Sequence, residues 1–354
     1  MKRPTIAEIA ARAGVSIGAV SYALNGRPGV SEKTRRLILE IADEIGWRPS
    51  VAARSLSGSR AHSVGLLIAR PADTLGVEPF FMRFIAGLEG ELSRHGVGLL
   101  LQFVDDHRAA IEAMRRCWAE RRVDGMVLTD LFTEDTRIPV VEQLRIPAVL
   151  VGGPRADSRL PSVWTDDTAA VTAAVDYLVA LGHRRLARVA GLPALEHTQV
   201  RIGAFRAAAE AHHLAGAEAH HLAGAEAHHL AGAEVIETDY TWEAGVRATR
   251  TLLSRRDRPT AIMYDNDVMA AAGLNVAQEM GLAVPDQLSV VAGDDSQLCY
   301  LVRPALTALA RDIQAYGVHT ARVLMEVIDG RSPASQPDGP TRLVVRASTA
   351  RPPA

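Results

Sequence analysis

Apolar residues at helical spacing predict three short amphipathic helices within the first sixty positions. Thr5 caps the first helix, which ends at Gly14, while Ser16 caps the second helix and Ser31 the third. Because only two residues separate the first helix from the second, the two helices must cross steeply. This arrangement is the geometry of a helix-turn-helix unit.

Beyond residue 60, apolar runs of strand length alternate with helical stretches. The expected strands are Val64–Arg70, Val97–Val104, Gly125–Thr129, Ala148–Gly152, Leu186–Ala190, Val235–Thr238, Ala261–Tyr264 and Leu288–Ala292. The expected helices are Phe80–Arg94, Arg108–Glu120, Thr168–Leu181, Val200–Ala211, Glu243–Leu253, Val268–Met280 and Ile313–Ile328. Such alternation is typical of doubly wound α/β layers with parallel sheets, whose ligands bind beyond the carboxyl ends of the strands.

Polar residues cluster at those strand ends, and two interpretations stay open for them. Asp167, Asp239 and Asp267 each stand just before a predicted helix, where a carboxylate most often serves as an N-cap. Several carboxylates converging on one cleft would instead match the hydroxyl groups of a sugar, with Tyr240 or Trp242 offering a flat face.

Charge is divided unevenly along the chain. Residues 1–60 carry ten basic and five acidic side chains, a net charge of +5, whereas the whole chain has a net charge of −2. A basic head on an acidic body is typical of a nucleic-acid-binding module fused to a second domain. Two isolated cysteines exclude a disulfide framework, and no apolar run approaches the ~20 residues that span a bilayer. We therefore expect a cytoplasmic, nucleoid-associated protein without a membrane partner.

In a helix-turn-helix unit the second helix enters the major groove of double-stranded DNA. The residues expected to face base edges are Ser16, Ile17, Gly18, Ser21 and Tyr22. The residues expected to hold phosphates are Thr5, Asn25, Ser31 and Thr34. Residues 50–56 form either a flexible connector or a helix that folds only on DNA, with Leu56 beside Arg54 as a minor-groove wedge.

A long, ordered set of motifs resembles the lactose-repressor/galactose-repressor (LacI/GalR) family. In the head they include Thr5-Ile-Ala-Glu-Ile-Ala, Ala13-Gly-Val-Ser16, Leu24-Asn25-Gly26 and Ala53-Arg54-Ser-Leu56; in the body they include Gly182-His183-Arg184-Arg185, Asn266-Asp267-x-Met-Ala270 and Pro304-x-Leu306-Thr307. The resemblance implies a homodimeric repressor on a palindromic operator, with Leu56 inserted at a central C-G step. It also implies allosteric control by a small effector, either an inducer or a corepressor.

The same resemblance implies an N-terminal helix-turn-helix domain at 1–48, a hinge helix and linker at 49–60, and an effector-binding and dimerisation domain at 61–354. This domain resembles a two-lobed periplasmic binding protein whose chain crosses between lobes three times. Lobe N is expected at 61–162 and 293–320, and lobe C at 163–292 and 321–354. The matching effector positions are Arg201, Tyr240, Asn266, Asp294 and Arg311. Because Gly293 stands where relatives carry an aromatic residue, the identity of the sugar or glycoside stays open.

Residues 209–232 are a perfect tandem repeat, Ala-Glu-Ala-His-His-Leu-Ala-Gly three times over. Chelating histidines on one helix should lie three or four positions apart, and these do not. We interpret the repeat as a tolerated surface insertion without a metal site.

Catalytic patterns are scarce, so we expect neither an enzyme nor a cofactor. The stretch Gly14-Val-Ser16-Ile-Gly18 fits the G-x-S-x-G motif of serine hydrolases, but that motif needs a preceding strand, and a helix precedes it here. The alternative to a DNA-binding regulator is a sugar-binding protein without a DNA role, which the basic head argues against.

Overall fold

The structure, a computed structural model, describes residues 4–47, 60–70, 79–212, 228–230 and 233–353, with residues 228–230 and 233 described by their backbone alone. The chain divides into two compact units, Met1–Ala61 and His62–Ala354. The predicted hinge segment, including Arg54 and Leu56, lies outside the described residues. No helix among these residues is long and apolar enough to cross a membrane.

Three helices form the first unit: α1 (Ile6–Ala13), α2 (Ile17–Leu24) and α3 (Glu32–Glu44). Their predicted N-caps are confirmed, since the hydroxyls of Thr5, Ser16 and Ser31 each accept a backbone N–H at 3.2–3.3 Å. The side chain of Arg35 on α3 donates to two carbonyl oxygens at and beyond the end of α2, at 3.1 and 2.8 Å. These bonds fix the orientation of α2 against α3.

The second unit is built from thirteen strands and nine further helices among the described residues. The strands are β1 (Ser63–Ile68), β2 (Gly98–Phe103), β3 (Gly125–Leu128), β4 (Ala148–Val151), β5 (Ser162–Trp164), β6 (Leu186–Ala190), β7 (His228–Leu230), β8 (Ala233–Glu237), β9 (Ala261–Tyr264), β10 (Ser289–Ala292), β11 (Thr307–Ala310), β12 (Gln336–Pro337) and β13 (Arg342–Val344). The longer helices are α4 (Pro79–Arg94), α5 (His107–Ala119), α7 (Asp167–Ala180), α8 (Glu196–Ala211), α9 (Trp242–Leu253), α10 (Asp267–Glu279) and α12 (Ile313–Ile328). Two short helices, α6 (Arg137–Leu144) and α11 (Leu298–Leu301), complete the set.

Two sheets divide this unit into a first and a second lobe. The strand order is β12-β5-β4-β3-β1-β2 in the first lobe and β13-β11-β10-β9-β6-β8-β7 in the second. All strand pairs are parallel except β11–β13 and β7–β8. Separate apolar cores fill both sides of each sheet, so the predicted doubly wound fold is confirmed.

The chain passes between the sheets three times, but the predicted lobe boundaries are wrong. Residues 293–310 belong to the second lobe because β11 pairs with β10, Val291 opposite Thr307. Residues 321–337 belong to the first lobe because α12 continues unbroken to Ile328 and packs on α4. The crossovers therefore lie near residues 165, 311 and 338–341.

The tandem repeat is described only at its two ends. Its first three residues, Ala209–Ala211, complete α8, and His228–Leu230 in the last copy form the outermost strand of the second sheet. Residues 213–227, 231 and 232 lie outside the described residues, so the interpretation of the repeat as a surface insertion stays a prediction.

Helices α4 and α12 approach each other through paired glycines. A Cβ atom on Gly87 would lie 2.0 Å from the carbonyl oxygen of Gln314, and one on Gly317 would lie 2.2 Å from that of Phe84. Backbone atoms cannot yield as a flexible side chain does, so only glycine permits this contact.

Gly87→Ala should therefore lower the free energy of unfolding of the second unit by about 1–3 kcal/mol, because the two helices must separate. The matched control is Gly90→Ala on the same helix, where a Cβ meets nothing within 4 Å. That change should raise stability by up to about 1 kcal/mol through helix propensity. Urea unfolding followed by circular dichroism measures both, and equal effects would contradict the steric explanation.

Candidate functional site

The outer surface of α2 presents an apolar and hydroxyl-bearing face. Ile17 and Tyr22 are 57% and 46% exposed, Ser16 and Gly18 are exposed, and Ser21 is half-buried. All five predicted base-facing residues thus lie on one short, capped helix. A face of this size suits insertion into the major groove, where methyl groups and shape are read beside hydrogen bonds.

The predicted phosphate-holding residues already have local hydrogen bonds. The side-chain amide of Asn25 donates to the Ser21 carbonyl at 2.8 Å. The hydroxyls of Ser31 and Thr34 lie 2.8 Å apart, and Thr5 caps α1. These side chains shape the helix ends, and a hydroxyl that accepts from a backbone N–H can still meet a phosphate oxygen through its own proton.

A cleft of about 250 Å³ lies between the two lobes of the second unit. Its first-lobe wall is largely aromatic, formed by Phe80, Phe81, Trp164 and Tyr316 together with apolar residues of β3 and β4. The second-lobe wall is mainly polar, with carboxylates and arginines on α7 and α8 and at the ends of β9, β10 and β11. The cleft thus opposes flat apolar faces to hydrogen-bonding groups.

Nearly every carboxylate that lines the cleft is paired with an arginine. The pairs are Asp130 with Arg70, Asp167 with Arg201, Glu196 with Arg155, Asp265 with Arg188, and Asp294 with Arg311. The sixth lining carboxylate, Asp166, caps α7. With six carboxylates against five arginines, the cleft is therefore close to charge balance and carries a dense set of both donors and acceptors.

Burial and ion pairing oppose each other at these carboxylates. Burial alone would raise the pKa of Asp130, but the charge and hydrogen bonds of Arg70 hold that pKa below its ordinary value. The same balance, with Arg201 as the main partner, lowers the pKa of Asp167. Both side chains are therefore ionised acceptors near neutral pH.

Arg311 connects both lobes at the crossovers. Its guanidinium donates to the hydroxyl of Thr165, at the first crossover, at 3.1 Å and to Asp294 at 3.3 Å. The guanidinium carbon also lies 5.2 Å from the ring centroid of Phe80, on the first-lobe wall. A ligand beside Arg311 thus touches the segments about which the lobes would move.

Tyr240 lines the cleft, but its hydroxyl already forms hydrogen bonds with neighbouring side chains. Its hydroxyl lies 2.9 Å from the ring of His197 and 3.0 Å from the hydroxyl of Thr198, and Arg70 covers its ring at 4.8 Å. Burial, with the nearby Arg201, lowers the pKa of His197 to about 4, so this imidazole is neutral at pH 7. Tyr240 therefore braces Arg70 across the lobes.

The structure places five sequence-predicted residues differently from expectation. Asn266 is buried as the N-cap of α10 and donates to the Tyr240 carbonyl at 3.1 Å, so it does not line the cleft. Trp242 is not a lining residue, whereas Trp164 is. The predicted caps Asp167, Asp239 and Asp267 are wrong, because Asp166, Thr241 and Asn266 cap those helices. The observed caps lie one or two residues away from the predicted ones.

A short backbone ladder joins the lobes away from the crossovers. Residues 131–133 of the first lobe and 194–196 of the second form this interlobe ladder, with N–H···O distances of 2.8 and 3.1 Å. Arg155 strengthens it by donating to Glu196 and to the Phe132 carbonyl, both at 2.9 Å. The two lobes are therefore connected both at the crossovers and at the interlobe ladder.

Comparisons with known proteins agree with this geometry. A family model described as bacterial regulatory proteins, lacI family, matches residues 5–50, and a periplasmic binding protein-like domain matches residues 175–349. The transcriptional regulator CelR of Thermobifida fusca is 30% identical over 348 residues, which cover 97% of this chain and 96% of CelR. The chain belongs to the LacI family of bacterial regulatory proteins.

Solved structures of LacI-family members support the same assignment. A LacI-family regulator from Bifidobacterium animalis subsp. lactis is 32% identical, with a TM-score of 0.73 over 83% of this chain and 100% of that one. A complex of the regulator CelR with cellobiose is 28% identical, with a TM-score of 0.71 over 98% of this chain and 100% of that one. The LacI-family chain is a DNA-binding transcriptional regulator, and the expectation that it is not an enzyme is confirmed by these relatives.

One further carboxyl of the LacI-family chain lies behind the cleft wall without an arginine partner among the described residues. Burial, and after it the negative charge of Asp294, raises the pKa of Asp267 to about 6. One of its oxygens is buried and makes no hydrogen bond among those residues. Because the folded-state pKa lies above the ordinary value of 3.8, ionising Asp267 destabilises the fold as pH rises from 4 through 6.

Asp267→Asn should remove this penalty. The variant and the natural protein should have similar free energies of unfolding at pH 4, and the variant should become more stable by up to about 3 kcal/mol at pH 8. Urea unfolding across that pH range measures the difference. Asp286→Asn, which removes an exposed carboxyl, is the control, and a difference for Asp267→Asn that does not change with pH would contradict the assignment.

Proposed function

We propose that the protein is a repressor that binds a palindromic operator as a homodimer and responds to a neutral sugar or glycoside in the interlobe cleft. Balanced charge between an aromatic wall and a polar wall is the observation that carries the ligand class. Neutral sugars need flat apolar faces together with both donors and acceptors, and they add no net charge to a site. A phosphorylated sugar would instead need unpaired cationic groups.

The cleft and the ligand bound to a solved relative favour the same class of molecule. CelR has been solved with cellobiose, and the chain is similar to CelR over nearly its whole length. In this protein Trp164 would stack on a sugar ring, while Asp167, Arg201, Asp294 and Arg311 would bind its hydroxyl groups. Tyr240 would act by positioning Arg70, and Asn266 by capping the first turn of α10.

For DNA binding we propose that Ile17, Gly18 and Tyr22 select the bases, together with the hydroxyls of Ser16 and Ser21. Arg54 and Leu56 lie outside the described residues, and their roles in the minor groove rest on the family resemblance. The effector would act by changing the angle between the lobes at the crossovers and the interlobe ladder. That change would separate the paired hinge segments. Effector binding and operator binding would then be coupled by a free energy of typically ~1–3 kcal/mol.

Selection of duplexes from a random DNA pool should recover an inverted repeat with a central C-G step. Tyr22→Ala should weaken binding to that site by about 1–2 kcal/mol, since a base-contacting side chain is lost. Leu39→Ala is a matched control, because Leu39 on α3 is 47% exposed against 46% for Tyr22. Recovery of a single half-site would contradict the dimer, and equal loss in both variants would contradict the base contact.

Titration calorimetry with cellobiose, maltose and glucose 6-phosphate tests the ligand class. A neutral disaccharide should bind more tightly than the phosphate, and Trp164→Ala should weaken its affinity about tenfold through loss of stacking. Trp242→Ala, at a 38% exposed tryptophan outside the cleft, should leave that affinity unchanged. Tighter binding of the phosphate would contradict the proposal, and operator affinity that no sugar changes would contradict allosteric control.

A further inference from the structure

A second, much smaller cavity adjoins the floor of the cleft. Its volume is about 10 Å³, close to the space that one water molecule or one monatomic ion needs. The lining residues are Asp167, Ala170, Val171, Arg188, Arg201, Gly293, Leu309, Arg311 and Thr341. Three of them, Asp167, Arg201 and Arg311, also line the cleft. A species bound here would therefore contact the same guanidinium groups that face the effector.

Buried hydrogen-bond donors of this cavity lack partners among the described residues. Arg188 on β6 is only 1% exposed, and its Nη2 donates to Asp265, but its Nε and Nη1 make no hydrogen bond there. The hydroxyl of Thr341 is also buried and makes no hydrogen bond among the described residues. A charged donor left unsatisfied in the interior is costly, so a bound acceptor is favoured.

The hydrogen-bonding groups around the cavity favour an anion over water. Three arginines line it against one carboxylate, Asp167, because the partners of Arg188 and Arg311 face the cleft instead. Arg201 already engages both oxygens of Asp167, donating to one at 3.2 Å and lying 3.1 Å from the other in an ion pair. A water molecule would thus meet many donors and few acceptors for its own protons, whereas an anion needs only donors.

We propose that this cavity binds a monatomic anion, chloride in the cell, with Arg188 and Thr341 as its ligands. The anion accepts hydrogen bonds from the unpartnered guanidinium N–H groups of Arg188 and from the Thr341 hydroxyl. It also holds Arg201 and Arg311 in the orientation that the effector meets. This last consequence rests on the proposed function, whereas the anion site itself does not.

Crystals of the full chain grown in sodium bromide instead of sodium chloride test the site directly. An anomalous bromine peak in the cavity is expected, and it should be weaker in Thr341→Val at the same bromide concentration. Thr251→Val, which removes a half-buried hydroxyl bound to the Arg247 carbonyl on α9, is the matched control and should keep the full peak. Density in the cavity without an anomalous signal would overturn the proposal in favour of water.

Thermal unfolding in solution gives a second readout without crystals or sugar. At equal ionic strength, chloride should raise the melting temperature above that in gluconate by about 2–4 °C, because an anion bound only to the folded state stabilises it by mass action. Equal melting temperatures would overturn the proposal. Arg188→Met combined with Asp265→Asn removes the donors without leaving a buried charge, and it should abolish the chloride effect. If that variant does not fold, Thr341→Val carries the test.

Discussion

Ion pairing between arginines and carboxylates at the strand ends is the interaction on which the second unit depends. Ionised carboxylates such as Asp130 and Asp167 lose several kcal/mol of hydration on burial, and only a well-placed cation offsets that loss. Each partner comes from a different element, so each pair fixes the distance between two elements. The same pairs leave the cleft floor ionised and yet close to neutral overall.

This arrangement couples ligand binding in the cleft to the distance between the two lobes. The aromatic wall belongs to the first lobe and most of the paired charges belong to the second, so a ligand that contacts both walls changes their separation. Arg311 touches both walls at the crossovers, and the interlobe ladder ties the lobes elsewhere. Any movement between the lobes must therefore redistribute the hydrogen bonds of Arg311 or of the ladder.

Local signals explain how much of the fold could be predicted from the sequence. The caps of α1 to α3 and the apolar runs of the central strands are encoded within a few neighbouring residues, and these predictions are confirmed. Strand β11 is not among the predicted strands because its alanines suit a helix as well as a strand, and the lobe boundaries that the family resemblance implies place it in the wrong lobe. Strands β5, β12 and β13 are too short to carry a period of their own.

The candidate site also combines residues that could be predicted from the sequence with contacts that could not. Arg201, Asp294 and Arg311 line the cleft as the family resemblance implies, but Asn266 does not. The ion pair between Arg70 and Asp130 joins residues 60 positions apart, so no local pattern in the sequence predicts it. Contacts of this kind exist only once the sheet has brought the strand ends together, which is why the fold was more predictable than the site.

The two described ends of the tandem repeat have a consequence for how this gene can change. The three octapeptide copies are identical, so gain or loss of one copy during replication returns the same residues to the end of α8 and to strand β7. The register of the second sheet is thereby preserved, and lengthening a connection costs only about 0.6 kcal/mol per doubling. The outer edge of the second lobe is thus a place where lineages can differ in length while the cleft and its charge pairs stay the same.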